Sequence, residues 1–255
     1  MPLTFAHPAA VLPFSRNSKY INFLAMVLGS MAPDFEYFLR GMPAGAAGHT
    51  FSGFITFNLP IVVIVYFIYQ RFIHRTLFSH LPSIFKDTYS RKTSSSPFLN
   101  GFVFLYSTLF GMLTHVVWDS FTHLNGFMVK NLPILTYTVP IFDVHIPIFK
   151  ILQHGSTIVG LTVIISYMYV RARKNSGNGE ELTTTKQKWM YWGLIGLVTT
   201  LLFCLWYLMD KITIGSYGII VVRIIDSALI SLFIVSFYFD QINRAKQKFL
   251  STTNS

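Results

Sequence analysis

The segment 114–123 carries the densest set of side chains that could do chemistry. Its sequence, THVVWDSFTH, places His115, Asp119 and His123 at intervals of four residues. In a helix, a step of four turns a side chain by only about 40° and raises it by about 6 Å, so neighbouring members share one stripe. Imidazole and carboxylate groups with this spacing are recurrent ligands of divalent metal ions. The segment therefore predicts a metal site.

The outer two residues of this stripe are too far apart to share one ion on a straight helix. His115 and His123 would be separated by about 12 Å along the axis. Either two ions are bound, or the helix breaks near Ser120, or His123 serves elsewhere. A further interpretation needs no metal, with Trp118 as a membrane anchor and the polar residues solvated at an interfacial helix end.

Further candidate ligands occur in the N-terminal part of the chain. Pro8 restrains the residue before it to an extended conformation, so we expect His7 to precede a helix rather than lie within one. Asp34 and Glu36 are two residues apart and would face different ways on a helix. Asp34 is the preferred ligand because it follows Pro33 directly, and Glu36 is the preferred general base. Capping of a helix N-terminus is the alternative account of both acids.

His49 follows a Gly/Ala/Pro-rich stretch at 41–48 and stands at the head of an apolar run. A lone histidine there is more often a satisfied surface group. With the His115 and Asp119 pair expected on the same face, His49 becomes a candidate ligand.

Composition restricts the class of protein and of metal site. The chain has 255 residues, of which 52% are hydrophobic and 12% charged, against about 25% charged in soluble domains. Cys204 is the only cysteine, so a disulfide within the chain and a thiolate cluster are both excluded. Histidine and carboxylate ligands suit zinc, manganese or iron. No nucleic-acid binding is expected from the net charge of +10, since the basic residues concentrate between apolar runs.

The apolar runs predict an all-α integral-membrane helical bundle of about five transmembrane helices. Residues 20–31 are apolar but too short to cross a core about 30 Å thick, so they predict a short, partly inserted N-terminal helix. The five longer runs are 52–70, 98–118, 155–170, 190–209 and 215–239, the third of which is short enough to extend at either end.

The loop charges predict an orientation. The segments 71–97, 171–189 and 241–255 are rich in Lys and Arg, which favours the cytoplasmic side for all three. The candidate ligands then fall on the opposite, outer face. We expect a single membrane domain, with an outer-face segment at 1–53, a bundle at 54–240 and a basic cytoplasmic tail at 241–255.

Two charged residues lie inside the fifth apolar run. Arg223 and Asp226 are three residues apart, which is typical of an ion pair on one helix face. The functional alternative has Arg223 facing the site and holding an anionic substrate group such as a phosphate.

The motifs together resemble an uncharacterised bacterial integral-membrane family, a domain of unknown function. They are PLTFAHPA at 2–9, GSMAPDFEY at 29–37, GHT at 48–50 and THVVWDSFTH at 114–123. The chain is more distantly similar to membrane-bound metal-dependent hydrolases, which carry Pro-Asp, Thr-His-Ser and His-x-x-x-Asp motifs. Here Pro33-Asp34, His49 and the His115/Asp119 pair match those motifs, whereas GHT departs from Thr-His-Ser.

This resemblance implies a metal-dependent hydrolase. We expect it in the bacterial cytoplasmic membrane, with membrane lipid as partner and a lipid or lipid-linked phosphoester of the outer leaflet as substrate. A small transporter or metal-ion carrier, and a structural membrane protein without catalysis, are the alternatives. The predicted ligands for one or two divalent ions, zinc among them, are His7, Asp34, His49, His115, Asp119 and His123.

Overall fold

The computed structural model describes residues 3–14, 16, 18–86, 96–174, 183–210, 212–213 and 215–253, with side chains as far as residue 245. A 3₁₀ helix (Thr4–Val11) is followed by α1 (Phe23–Met31), a 3₁₀ turn (Ala32–Asp34) and α2 (Phe35–Arg40). The later elements are α3 (Phe51–His80, with two π-helical turns), α4 (Pro97–Thr122), α5 (Phe127–Asn131), β1 (Thr138–Ile141), β2 (Val144–Pro147), α6 (Ile148–Lys174), α7 (Thr185–Met209) and α8 (Tyr217–Thr253).

The predicted helical membrane fold is confirmed. Within the described ranges, five helices are long and apolar enough to cross a membrane: α3, α4, α6, α7 and the part Tyr217–Ala245 of α8. Each of these helices is longer than the apolar run that predicted it, because polar residues at the ends continue the backbone hydrogen bonding of the helix. The predicted short N-terminal helix is α1. Residues 87–95, which include Arg91 and Lys92 of the basic segment 71–97, lie outside the described residues, and so do residues 175–182.

Side-chain caps explain where several helices begin. The Asn22 side chain accepts a hydrogen bond from the Ala25 N–H at the start of α1. Thr50 accepts one from the Gly53 N–H at the start of α3. Ser96 caps α4, with Pro97 at the first helical position, where a missing N–H costs nothing. Thr50 thereby fixes the start of α3 directly after His49.

The described chain divides into two compact units. The first comprises Met1–Glu36, Gly45–Val63 and Tyr89–Arg171, and it contains every candidate metal ligand. The second comprises Tyr37–Ala44, Ile64–Thr88 and Ala172–Ser255, and it contains Arg223. The prediction of a single membrane domain stays a prediction, because two compact units can belong to one domain.

Two glycines set the spacing of α1 and α4 in the first unit. A Cβ atom at Gly29 would overlap the backbone carbonyl of Thr108, and one at Gly111 would overlap the carbonyl oxygen of Met26. The two backbones therefore touch, as small residues allow in membrane helix pairs. The Asn22 N–H also donates to the Ser107 hydroxyl over 3.1 Å. Because of this close approach, the 3₁₀ turn that follows α1 lies near the C-terminal part of α4.

His7 lies inside the 3₁₀ helix, so the expectation that it would precede a helix is wrong. The conformational bias before Pro8 is local and modest. It is outweighed by packing, because the 3₁₀ helix contacts α1 and α4 and buries Ala6, His7 and Val11 completely or almost so. The Leu3 N–H also donates to the Thr157 hydroxyl of α6 over 3.0 Å.

The second unit has an aromatic core of its own. Tyr191, Ile195, Val235 and Phe239 form its buried cluster. The Tyr191 hydroxyl is 2.7 Å from the Ser236 hydroxyl, and the His80 ring stacks on Tyr191. The hydroxyl groups of Tyr191 and Ser236 thus satisfy each other, as burial among apolar helices requires.

Candidate metal centre

Four of the predicted ligands come together in the first unit. Asp34 ends the 3₁₀ turn after α1, His49 directly precedes the cap of α3, and His115 and Asp119 lie one turn apart on α4. One ligand atom from each lies within 4.8 Å of the other three. The structure thus assembles these four residues from three elements that are distant in sequence.

The spacing of the ligand atoms fits a metal ion better than a hydrogen-bond network. His115 Nε2 lies 3.5 Å from Asp34 Oδ1 and 3.3 Å from Asp119 Oδ2. His49 Nε2 lies 3.6 Å from Asp34 Oδ1 and 3.5 Å from Asp119 Oδ2. Charge-assisted N–H···O bonds are shorter, about 2.7–2.9 Å. Ligands about 2.0–2.1 Å from a tetrahedral ion are separated by about 3.4 Å, close to the observed distances.

The tautomer of His115 is set by the backbone. Its Nδ1 lies 2.8 Å from the carbonyl oxygen of Ser30, which can only accept a hydrogen bond. Nδ1 therefore carries a proton, and Nε2, which faces the two carboxylates, is the ring atom left to bind a metal. A metal-binding histidine commonly donates its other N–H to a backbone carbonyl in this way. His115 is fully buried, so this ring is held firmly.

Several buried polar atoms of these four ligands face little besides one another. Asp34 Oδ2 accepts a hydrogen bond of 2.6 Å from the Thr4 hydroxyl. Among the described residues, Asp34 Oδ1, His115 Nε2 and Asp119 Oδ1 are buried without a hydrogen-bond partner. Asp34 is fully buried and Asp119 is 7% exposed. Two neighbouring buried carboxylates with unsatisfied oxygens are costly, and a cation between them would offset that cost.

His7 lies beside this group of four. Its ring stacks on His115 with centroids 3.9 Å apart, and its Nε2 is 3.6 Å from Asp119 Oδ1. Burial, followed in importance by the neighbouring His115, lowers the pKa of His7 to about 3. The ring is therefore neutral near pH 7 and retains a lone pair for a metal.

His123 approaches Asp119 from beyond the helix end. Helix α4 continues through Ser120 and ends at Thr122, so a helix break near Ser120 does not occur. His123 is its C-cap residue with an extended backbone. Its Nδ1 donates a hydrogen bond of 3.1 Å to the backbone carbonyl oxygen of Asp119 and lies 3.6 Å from Asp119 Oδ1. The side chain of His123 is 29% exposed.

Glu36 fixes the loop that carries His49. Its Oε2 accepts hydrogen bonds of 2.9 Å from the N–H groups of Ala46, Ala47 and Gly48. A Cβ atom at position 48 would overlap the carbonyl oxygen of Pro33, which explains why this chain has glycine in its GHT motif. These contacts give Glu36 a positioning role, and its predicted role as general base stays a prediction.

Arg223 lies in the second unit. Its Nη2 donates to Asp210 over 2.5 Å, and its Nη1 lies 4.0 Å from Asp226. The guanidinium also lies over the Trp206 ring at 4.1 Å. The predicted pairing partner Asp226 is thus the more distant of two carboxylates, and the role of Arg223 in substrate binding stays a prediction.

The sequence did not predict the residues that hold the ligands in position by hydrogen bonds. Thr4 orients Asp34, the Ser30 carbonyl orients His115, and Asn58 donates to the Gly48 carbonyl over 2.6 Å. Thr4 and Ser30 belong to the motifs PLTFAHPA and GSMAPDFEY, and this membership was the one feature of the sequence that could have indicated their role. Their residue types alone are too common to indicate this role.

Comparison with known proteins gives one match. A family model described as a domain of unknown function, DUF4184, matches residues 1–237. No curated protein and no solved structure matches the chain. The match agrees with the expected resemblance to an uncharacterised family, and no activity comes with it.

Proposed function

We propose that this chain, which belongs to the DUF4184 family of unknown function, is a membrane-bound metal-dependent hydrolase of lipid or lipid-linked phosphoesters. The observation that carries this proposal is the group formed by Asp34, His49, His115 and Asp119. Its nitrogen–oxygen distances match the edges of a metal-centred tetrahedron, and its ligand types suit zinc, manganese or iron.

A bound divalent ion would polarise a phosphoryl oxygen and make water acidic enough to lose a proton near neutral pH. Hydrolysis forms a bond between phosphorus and the water oxygen and breaks the bond to the leaving oxygen. The water gives up a proton, and the leaving alcohol takes one. In this chain the cluster is partly open to solvent, since the side chain of His49 is 32% exposed. Water can therefore reach it.

A lipid substrate is supported by a groove beside the cluster. A cavity of ≈ 620 Å³ is walled by α4, α6 and the 3₁₀ helix, with apolar side chains such as Phe110, Val117 and Leu152. Its size falls in the range of about 300–1,000 Å³ that small-molecule sites occupy. Trp118 lines the groove and also makes an edge contact with His7 at 5.5 Å. An acyl chain in this groove would bring its headgroup towards the metal ligands.

Metal-stripped and metal-reloaded protein tests the activity. In mixed micelles, zinc- or manganese-loaded protein is expected to hydrolyse phosphatidic acid or phosphatidylglycerol in preference to water-soluble p-nitrophenyl phosphate. His115→Ala is expected to lower that rate by more than about 100-fold. Replacing a residue that only supports a metal ligand already lowers metal affinity or activity by about 10- to 100-fold. His145→Ala, at an exposed histidine on β2, is the matched control.

Absence of hydrolysis with every metal tested would remove the hydrolase proposal. The metal-carrier alternative is distinguished with the same preparations. Metal uptake into proteoliposomes that is abolished by His115→Ala, without ester cleavage, would favour a carrier.

We further propose that the cluster faces the outer side of a bacterial cytoplasmic membrane and that the C-terminus is cytoplasmic. The basic segments between the apolar runs support this orientation. In a Cys204→Ser background, Asn125→Cys is expected to react with a membrane-impermeant maleimide on intact cells. Lys186→Cys, at the start of α7, is expected to react only after permeabilisation. The reverse labelling pattern would overturn the orientation.

A further inference from the structure

We infer that the hairpin of β1 and β2 lies in the headgroup layer of the membrane, with one face and its tip turned towards the lipid. The partner of this surface is the bilayer itself. This placement requires the membrane-spanning helices but not hydrolase activity, so it holds whether or not the chain cleaves esters.

The hairpin has two unlike faces. Successive residues of a strand point to opposite sides, and residues paired across two strands share a side. Val139 pairs with Ile146, and Ile141 pairs with Val144. One face therefore consists of four β-branched aliphatic side chains. The opposite face carries Thr138, Pro140, His145 and Pro147. An antiparallel sheet with this division is covered on its apolar side.

The described chain leaves the aliphatic face largely uncovered. Val139 and Ile141 are each 38% exposed, and Val144 is 59% exposed. A two-stranded hairpin by itself is at best marginally stable in water, so its apolar face needs a surface to pack on. Contiguous exposed apolar residues of this kind mark sites of interaction with protein or membrane.

The tip of the hairpin is an independent indication of contact with lipid. Phe142 is 99% exposed and has a φ of 53°, in the left-handed region. Bulky residues rarely adopt this conformation, and short hairpin turns normally use glycine or asparagine for it. An exposed phenylalanine that persists despite this strain is explained if its ring inserts among lipids. The charge of the next residue, Asp143, limits the tip to the hydrated headgroup layer.

The hairpin is joined directly to a helix that crosses the membrane. β2 ends at Pro147 and α6 begins at Ile148, with no residue between them. The Ile148 N–H also donates to the Tyr137 carbonyl over 2.9 Å, which ties the base of the hairpin to the first turn of α6. The hairpin therefore begins at the same depth as α6.

The length of α6 sets that depth. Its 27 residues span about 40 Å. The hydrocarbon core is about 30 Å thick, and the bilayer with its headgroups measures about 40–45 Å. The charged residues of α6 lie near its two ends, at Lys150 and within 171–174, as expected of a helix centred in the bilayer. Such a helix begins within the headgroup layer, where the aliphatic face of the hairpin continues its lipid-facing surface.

The rest of the connection between α4 and α6 suits the same layer. Apart from histidines, residues 123–147 contain only two charged side chains, Lys130 and Asp143. A surface that faces water carries about 25–35% charged residues. Tyr137, at the base of the hairpin, is exposed, and tyrosine is enriched where a membrane meets water. The connection is thus too apolar for a loop that faces water alone.

This placement has a consequence for the apolar groove. Thr122, at the end of α4, and Leu152, in the second turn of α6, both line the groove. The groove therefore reaches the headgroup layer at the end where the hairpin begins. A lipid whose headgroup lies in this layer would extend an acyl chain into the groove without leaving the leaflet.

Spin labels on single cysteines measure the depth of the hairpin. In a Cys204→Ser background, Val144→Cys places a nitroxide on the aliphatic face, and His145→Cys places one on the opposite face. In phosphatidylcholine–phosphatidylglycerol vesicles, collisions are measured with oxygen, which concentrates in the bilayer, and with a water-soluble nickel chelate. The ratio of oxygen to nickel collisions is expected to be several-fold higher at residue 144 than at residue 145. Phe142→Cys is expected to resemble Val144→Cys.

Equal ratios at residues 144 and 145 would overturn the inference. Low collision rates with both reagents at residue 144 would also overturn it, because they assign the aliphatic face to contact with protein. Spin–spin broadening that disappears on dilution with unlabelled protein would identify that protein as a second copy of the chain. If Phe142→Cys does not fold, the labels at residues 144 and 145 carry the test. The expected ratios in protein that hydrolyses no ester would remove the proposed activity alone.

Discussion

Replacing Asp119 by asparagine is expected to cause the largest loss of bound metal of any single substitution. The two Asp119 oxygens face four imidazole nitrogens, two on each side. The amide removes the negative charge and exchanges one of those oxygens for an NH₂ group, which cannot bind a metal. We expect metal affinity to fall by more than about 100-fold. This loss exceeds the about 10- to 100-fold loss of affinity that follows when a residue supporting a metal ligand is replaced.

Elemental analysis of purified protein measures this effect. Asp143→Asn is the matched control, because Asp143 is an exposed acid in the turn between β1 and β2. Circular dichroism establishes that both variants remain helical. Wild-type metal content in Asp119→Asn would show that the cluster does not use this carboxylate.

Thermal unfolding of the same variant is a second measurement. The change in unfolding temperature relative to the wild type is expected to have opposite signs with metal and after chelation. With metal present, Asp119→Asn is expected to unfold at a lower temperature than the wild type, because a ligand that binds only the folded state stabilises it. After chelation, the variant is expected to unfold at the higher temperature, since it no longer buries the two carboxylates of Asp34 and Asp119 beside each other. Equal shifts with and without metal would assign Asp119 a purely structural role.

The helices were predictable because hydropathy is a local property of the sequence. The third apolar run, 155–170, is continued in the structure as Ile148–Lys174. The added residues are IFKILQH at 148–154 and RARK at 171–174, and their polar and charged members interrupt the apolar run. The small hairpin of β1 and β2 has exposed strands and gave no comparable pattern.

The candidate site was predictable to a lesser extent. His115 and Asp119 share one helix, so their spacing alone placed them together. Asp34 and His49 are brought to α4 by packing between distant parts of the chain, which a sequence pattern does not encode. The same holds for the contact of Thr4 with Asp34 and for the side of Asp119 that each histidine faces. Such long-range geometry depends on how closely α1 approaches α4.

Because the site depends on how closely α1 approaches α4, a residue that is not a ligand can also have a large effect on metal binding. Gly111→Val is expected to separate α1 from α4, because a side chain there would overlap the Met26 carbonyl and the Ser30 N–H. Overpacking of this kind costs about 1–3 kcal/mol. Valine is tolerated in a helix, so α4 itself is expected to remain helical.

Displacement of α1 reaches the metal cluster by a short route. Ser30 lies in α1, and its carbonyl is the acceptor that holds His115. Asp34 follows α1 after a single 3₁₀ turn, so it moves with the helix. We therefore expect Gly111→Val to weaken metal binding by about 10- to 100-fold, the range seen when the support of a ligand is lost.

The matched control lies on the same helix. Gly101 is exposed, and among the described residues no atom lies within 4 Å of a Cβ placed there. Gly101→Val should leave both the unfolding temperature and the metal content close to those of the wild type. Gly111→Ala, with a smaller side chain, is expected to fall between the two. If Gly111→Val retained full metal content, the ligands would be positioned by the 3₁₀ helix and the His49 loop rather than by contact between α1 and α4.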